Sequence, residues 1–145
     1  MNPNLDRCSV RSIETTRLET MKIGGVAIAP IVEQLQDLGF SYEIQGTLRG
    51  MSGEEHRFDI VARRGNMIVA VNILVADRDE PDERALIGLR ARLYDCAPDL
   101  GVVIYTSDAS DRLKNLCKFY RMAVIEGTEA RKISGDLAKS IQSVL

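Results

Sequence analysis

The stretch that decides the fold covers residues 58–76 and reads FDIVARRGNMIVAVNILVA. Its first part belongs to an alternating segment at residues 56–62, which predicts a strand with three apolar side chains on one side: Phe58, Ile60 and Ala62. Gly65-Asn66 then predicts a tight turn. The run MIVAVNILVA that follows is rich in β-branched residues and uninterrupted by charge, which predicts a strand buried on both faces of a sheet.

Helices and strands alternate outward from this hairpin. Upstream, Pro30 predicts the first turn of a helix that Gly39 ends, followed by a strand at 40–44 and a loop at 49–55. Downstream, the pattern predicts an acidic loop at 77–82, a helix at 83–97 and a strand at 100–105. A helix capped by Ser110 or Asp108 and a strand at 122–125 follow. The last predicted helix is capped by Ser134 and has three inward residues: Leu137, Ile141 and Val144. The order α-β-β-β-α-β-α-β-α predicts an α/β fold, a mixed sheet flanked by helices.

Length and composition fit one soluble domain. The 145 residues divide into an N-terminal arm or helix at 1–25 and a single domain at 26–145. The net charge of −2 argues against a broad affinity for nucleic acid but leaves room for a local basic patch. The sequence has neither an apolar run long enough for a membrane span nor a signal-peptide core, so we expect no membrane partner and a cytoplasmic location.

The three cysteines do not indicate a metal or disulfide framework. Cys8, Cys96 and Cys117 are odd in number and show no CxxC spacing. We expect Cys96 and Cys117 to lie in the core.

Around this hairpin the chain resembles the PD-(D/E)XK nuclease superfamily, including Holliday-junction resolvases and Mrr-like restriction enzymes. The resemblance covers about residues 26–126 and rests on the order α-β-β-β-α-β and on motif spacing. Asp59, at the start of Asp59-Ile60-Val61-Ala62, matches the family's first metal-binding aspartate. Where the family places an acid-x-lysine triplet, this chain has Asn72-Ile73-Leu74. The resemblance implies a restriction-endonuclease-like three-layer core with a degenerate catalytic motif.

The family's chemistry is phosphodiester hydrolysis assisted by Mg²⁺ or Mn²⁺, which carboxylates hold. By position, Asp59 and Glu33 on the first helix match metal ligands, while Asn72 supplies no charge and Leu74 no donor. If an active site remains, the resemblance therefore implies Asp59, Glu33 and Asn72 as a vestigial or rearranged catalytic set, with Asp59 and Glu33 as the metal ligands. In the absence of activity we expect no cofactor.

Replacement residues for the lost triplet are scarce. No lysine occurs between Ile23 and Leu113, so Lys114 and Lys118 are the nearest lysines. Glu83 is a candidate for a migrated acid. Among the arginines, candidates for a replacement charge are Arg63, Arg64 and Arg90, although arginine does not act as a base.

Other polar residues near the hairpin are also candidates. Asn72 lies in an apolar strand and must find hydrogen-bond partners if buried, either Asp59 or neighbouring backbone. His56 is the only histidine and is more typical of a strand-edge residue than of a metal ligand. The candidates for phosphate contacts, against the alternative of a solvated face, are Arg49, Arg57, Arg63 and Arg64.

Three hypotheses about function follow. The first is a non-catalytic nuclease-fold protein that binds nucleic acid, branched or duplex DNA included, or serves as an assembly partner. The second is a metal-dependent DNA endonuclease with a rearranged site. The third is a protein–protein interaction module without a nucleic-acid role. The resemblance to resolvases also implies a homodimer.

Overall fold

The computed structural model describes residues 17–76 and 83–145. The predicted acidic loop at 77–82 and most of the predicted N-terminal arm lie outside these ranges. The helices are α1 (Ala29–Asp37), α2 (Glu83–Cys96), α3 (Asp111–Phe119) and α4 (Ala130–Gln142). The strands are β1 (Lys22–Ile23), β2 (Val26–Ala27), β3 (Ser41–Ile44), β4 (Thr47–Arg49), β5 (Glu55–Arg57), β6 (Ile60–Arg64), β7 (Met67–Leu74), β8 (Leu100–Tyr105) and β9 (Met122–Glu126).

The main sheet has five strands in the order β3-β6-β7-β8-β9. The β3/β6 and β6/β7 pairs are antiparallel, while β7/β8 and β8/β9 are parallel. The predicted α/β fold with a mixed sheet and flanking helices is therefore confirmed. The predicted tight turn is Gly65-Asn66, where Gly65 has a φ of 58° that favours glycine.

Strand β7 lies at the centre of the sheet and divides the core into two layers. On one face, Val69, Val71 and Ile104 pack against α1 and α4. On the other face, Ala70 and Val103 pack against α2 and α3. The middle of β7 is buried on both faces, as predicted, while its two ends are half-buried.

The strand predicted at 56–62 is wrong, because it is two strands in two different sheets. Strands β4 and β5 form a separate hairpin, and the chain enters β6 only at Ile60. At the break, the Phe58 N–H donates to the Gly46 carbonyl oxygen at 2.9 Å, and the Gln45 N–H donates to the Asp59 carbonyl oxygen at 2.8 Å. This break shifts the alternation, so Phe58 packs on the α2 side while Ile60 and Ala62 pack on the α1 side.

The prediction of a cap at Ser134 is wrong. The N-cap of α4 is Glu129, whose carboxylate accepts the N–H groups of Arg131 and Lys132. Ser134 lies inside the helix, and its hydroxyl donates to the Pro30 carbonyl oxygen, which joins α4 to α1. Helix α4 ends at Gln142, so Val144 is 44% exposed rather than inward.

One other prediction about the helices is confirmed. Ser110, not Asp108, caps α3 by accepting the Leu113 N–H. Leu86 and Leu89 of α2 are buried. In the described part of the chain, no helix is both long and apolar enough to cross a membrane.

Of the described N-terminal residues, 17–20 are helical, and β1 and β2 form a small hairpin after them. The boundary predicted between residues 25 and 26 falls at its turn. Met21 and Ile23 pack on the α1 side of the core, and the Ile28 N–H donates to the Met21 carbonyl oxygen at 3.1 Å. This hairpin therefore contacts the domain directly before α1.

Gly46 is required where β3 passes into β4. A Cβ at this position would lie 2.9 Å from the Val61 side chain, which is buried. We expect Gly46→Ala to lower the free energy of unfolding by about 1–3 kcal/mol because the added methyl group would press on Val61, which is packed in the core. Gly135→Ala is the matched control: it lies in α4 with open space around it and should stabilise the protein by about 0.5–1 kcal/mol. Urea unfolding of both variants measures the two effects. Equal free energies of unfolding for the two variants would contradict the close approach of Gly46 to Val61.

Candidate functional site

Asp59 and Asn72 face each other where β6 and β7 part. The last paired residues of the two strands are Ile60 and Val71. Beyond them, the Asp59 backbone N–H donates to the Asn72 side-chain oxygen at 2.8 Å rather than to a β7 carbonyl. The predicted bond between Asn72 and Asp59 is confirmed.

The Asp59 side chain in turn hydrogen-bonds the backbone of β7. Its Oδ2 accepts the Ile73 backbone N–H at 2.7 Å, so each side chain binds a backbone group of the opposite strand. Its Oδ1 accepts the Gln45 Nε2 at 3.3 Å. Gln45 adopts a φ of 54° at the end of β3, and its backbone N–H also binds the Asp59 carbonyl oxygen. These contacts hold three strands together at the point where the ladder stops.

A cleft of about 350 Å³ opens beside this pair and is called the Asp59 cleft here. Its lining combines the polar residues Gln45, Asp59, Asn72, Arg57 and Arg92 with the apolar residues Phe58, Ile73, Leu74, Ala85 and Leu89. Leu74, at the position where the resemblance expects lysine, contributes apolar surface. The cations of the cleft are arginines from β5 and α2.

Arg92 is held in place on the wall of the cleft. Its guanidinium lies 5.5 Å from the centroid of the Phe58 ring, and its Nη1 donates to the Arg57 carbonyl oxygen at 2.6 Å. A guanidinium has five N–H donors, so most remain for another acceptor. The guanidinium of Arg57 is exposed and has no hydrogen-bond or ion-pair partner among the described residues.

The structure does not bring Glu33 to Asp59. Glu33 is exposed and lines a separate groove between α1 and α4, with Gln34, Arg131 and Ser134. Because α1 covers the opposite face of the sheet from α2, the two predicted metal ligands do not share a site. Glu83 begins α2, and its side chain lies outside the described residues.

The remaining predicted cations also lie outside the Asp59 cleft. Arg63 binds Glu43 at 3.2 Å, and Arg64 lies beside Gly39. Lys114 pairs with Glu126 at 3.1 Å, at the far edge of the sheet. Three further residues do not line the cleft: Arg49, Arg90 and Lys118. Of the four arginines predicted to bind nucleic acid, only Arg57 lines it.

The donor set of the described residues does not fit the Mg²⁺ or Mn²⁺ site that an active nuclease needs. No group of three His, Cys, Asp or Glu side chains able to hold a metal occurs among the residues that the structure describes. Both oxygens of Asp59 already accept hydrogen bonds, and the Asn72 oxygen accepts another. Mg²⁺ prefers anionic oxygens, and Asp59 is the single carboxylate among the described residues that line this cleft.

His56 belongs to a different cluster, centred on Asp95 at the end of α2. Asp95 Oδ2 lies 2.8 Å from His56 Nε2 and accepts the Ser52 hydroxyl at 2.5 Å, while Asp95 Oδ1 accepts the Ser52 backbone N–H at 2.9 Å. The Met51 N–H donates to the Asp95 carbonyl oxygen at 2.9 Å. Because Ser52 and His56 both bind the carboxylate, the cluster anchors the β4–β5 hairpin to α2.

Sequence reasoning missed three residues of these sites: Gln45, Arg92 and Asp95. Arg92 follows Ala85 and Leu89 at helical spacing, so a helix with Leu89 buried places Arg92 near the same face. Gln45 and Asp95 carry no such signal, since their roles depend on contacts made across 14 and 39 to 43 positions of the chain.

Comparison with known proteins supports the fold and nothing finer. No family model matches the chain, and no curated protein matches it. Protein VC1899 from Vibrio cholerae is similar in structure, with a TM-score of 0.60 and 15% identity, over 81% of this chain and 33% of that one. The protein of unknown function AF1548 has a TM-score of 0.54 and 14% identity, over 66% of this chain and 54% of that one. This chain thus spans about a third and about half of those proteins.

The contact between Asp59 and Ile73 predicts a stability effect. Asp59→Ala leaves a half-buried backbone N–H without its acceptor and should lower the free energy of unfolding by about 1–2 kcal/mol. Asp59→Asn retains an oxygen for the same N–H and should lose less. Denaturant unfolding measures both, with Glu33→Ala at an exposed position as the control. If Asp59→Ala were as stable as the native protein, Asp59 would not hold the strands together.

The Asp95 cluster predicts an acid-sensitive hairpin. The hydroxyl and then the backbone N–H of Ser52, followed by His56, hold the pKa of Asp95 below its ordinary value of 3.8. The ionised carboxylate therefore stabilises the hairpin fully when the pH is above the ordinary pKa of the group. The stabilisation is lost as the pH falls through the lowered pKa of Asp95. After correction for the slower intrinsic exchange of amides in acid, hydrogen exchange should show lower protection factors in β4 and β5 on acidification.

Asp95→Asn should show this lower protection already at neutral pH. Glu54→Gln, in the same hairpin but exposed, is the control and should behave as the native protein does. Slow hairpin exchange in Asp95→Asn at neutral pH would show that the carboxylate does not anchor the hairpin.

Proposed function

We propose that this protein is a non-catalytic member of the PD-(D/E)XK nuclease fold that binds nucleic acid in the Asp59 cleft. The order of α1, β3, β6, β7, α2 and β8 supports the assignment, since it matches the α-β-β-β-α-β core of that superfamily once the β4–β5 hairpin is treated as an insertion. In that arrangement, Asp59 and Asn72 occupy the positions of the first aspartate and of the acid in the lost triplet.

The observation that carries the proposal is a pair of hydrogen bonds: the Asn72 side chain accepts the Asp59 N–H, and the Asp59 carboxylate accepts the Ile73 N–H. Each side chain satisfies a backbone N–H of the other strand, so both act as structural groups at this site. A nuclease needs a second carboxylate and a lysine here, and the chain has an amide and Leu74 instead. In this proposal, Asp59 and Asn72 keep the positions of the nuclease site. They hydrogen-bond the backbone of the two strands instead of holding a metal ion.

The two arginines of the cleft favour an anionic ligand. Arg57 and Arg92 lie on β5 and α2 and line the cleft together with Asp59. A guanidinium presents several N–H donors in one plane, which suits the paired oxygens of a phosphate. The net charge of −2 means that such binding depends on this local pair rather than on the whole surface.

Binding measurements with matched arginine variants test the proposal. We expect the native protein to bind branched or duplex DNA with an affinity that falls as salt rises. Arg57→Gln should weaken binding and reduce the salt slope by about 0.9, the value for one lost duplex phosphate contact. Arg92→Gln should also weaken binding. Arg64→Gln removes an arginine outside the cleft and should retain native affinity.

The outcomes separate this proposal from the other two hypotheses. Absence of salt-sensitive binding to duplex, branched and single-stranded DNA would favour a protein interaction module. Cleavage in Mg²⁺ or Mn²⁺ that is lost in Asp59→Asn would show an active nuclease with a rearranged site. We expect no cleavage with either metal.

A further inference from the structure

A second cavity, of about 510 Å³, lies at the opposite end of the sheet from the Asp59 cleft. It is lined by Gly101 at the beginning of β8 and by Arg121 just before β9, whereas the Asp59 cleft lies at the end of β7. Its remaining walls come mainly from α2 and from the end of α3. It is called the aromatic pocket here, after three of its lining residues: Tyr94, Phe119 and Tyr120.

The aromatic side chains are concentrated and exposed. The chain has only three Phe and four Tyr, and three of these seven line this pocket. Tyr94 is 79% exposed and Phe119 is 76% exposed, so their ring faces are open to solvent. Exposed apolar groups gathered in one cavity are typical of a binding surface.

One of the two exposed rings, Phe119, packs against a neighbouring ring. Phe119 and Tyr120 pack edge to face, with centroids 5.7 Å apart and an interplanar angle of 60°. The Arg90 guanidinium lies 4.4 Å from the centroid of the Tyr120 ring. Arg90, Tyr120 and Phe119 therefore form a row of contacting groups, which favours one orientation of the Phe119 ring and lowers the entropy cost of binding.

The charges of the pocket favour an anion. Arg90 and Arg121 line it, and Arg121 is exposed with no side-chain partner among the described residues. The acid in the lining is Asp99, and its Oδ2 already accepts the Ile68 N–H at 2.7 Å. Open ring faces beside an unpaired guanidinium match a ligand that carries both flat bases and phosphates.

We propose that the aromatic pocket binds single-stranded nucleic acid, with bases stacked on Phe119 and Tyr94 and a phosphate on Arg121. Stacking on aromatic rings together with backbone contacts to cations is the general mode of single-strand recognition. A strand fits better than a free nucleotide because the rings are open on the surface, which leaves room for neighbouring bases on either side. In a duplex the base faces are covered by stacking, so a duplex cannot use these rings.

The inference does not rest on the proposed function, because the two sites use different residues. Arg57 and Arg92 line the Asp59 cleft, and neither lines the aromatic pocket. The two sites are related through α2, which presents Leu89 and Arg92 to the cleft and Arg90 and Tyr94 to the pocket. If one site does not bind nucleic acid, binding at the other site can therefore still be measured.

A tryptophan reporter tests the stacking directly. The chain contains no Trp, so Phe119→Trp introduces a single fluorophore at the proposed stacking position. We expect a single-stranded oligonucleotide to quench its fluorescence and a duplex of the same sequence to leave it unchanged. Equal quenching by a mononucleotide and by the oligonucleotide, at the same concentration of bases, would overturn the assignment to a strand.

Affinity measurements on two more variants complete the test. Phe119→Leu retains apolar surface but lacks a ring face and should weaken single-strand binding about 5- to 150-fold. Arg121→Gln should reduce the salt slope by about 0.7, the value for one lost single-strand phosphate contact. Ile87→Ala, exposed on α2 but outside the pocket, is the control and should retain native affinity. Native affinity in Phe119→Leu would overturn the proposal and would fit an apolar protein contact instead.

Discussion

The parting of β6 and β7 is the constraint on which the candidate site depends. When two strands separate, their backbone N–H groups lose ladder partners and need other acceptors. Here the Asn72 oxygen accepts the Asp59 N–H, and the Asp59 carboxylate accepts the Ile73 N–H. The two short side chains therefore make the separation stable, and the separation in turn opens the cleft that Arg57 and Arg92 line.

The same break sets the position of the β4–β5 hairpin. Because Phe58 turns to the α2 side, its ring supports Arg92, and the chain before it forms a separate two-stranded sheet. Asp95 then fastens that hairpin to the end of α2 through Ser52 and His56. Helix α2 thus joins three features: the wall of the Asp59 cleft, the anchor of the hairpin and one side of the aromatic pocket.

Much of the fold could be predicted from the sequence, because periodicity and turn chemistry are local. The central strand, predicted at 67–76 and observed at 67–74, the Gly65-Asn66 turn, a cap at Ser110 or Asp108 and the order of helices and strands around a mixed sheet all follow from short segments. The predicted strand at 56–62 was wrong because apolar alternation continues through Phe58 while its backbone bonds to Gly46. Ser134 resembled a cap, but its partner is the carbonyl of Pro30, 104 positions away in the chain.

For the site, the sequence by itself determined that Asn72-Ile73-Leu74 lacks an acid and a lysine, that residues 24–113 contain no lysine, and that Asn72 needs a hydrogen-bond partner, either Asp59 or neighbouring backbone. The structure decided between these two partners in favour of Asp59. Only the tertiary structure decided that Glu33 lies on the other side of the sheet, that Arg92 takes a place in the cleft, and that Tyr94, Phe119 and Tyr120 meet in one pocket. The physical reason is that residue types and spacing fix what each segment can form. The packing of helices on the two faces of a sheet fixes which side chains meet.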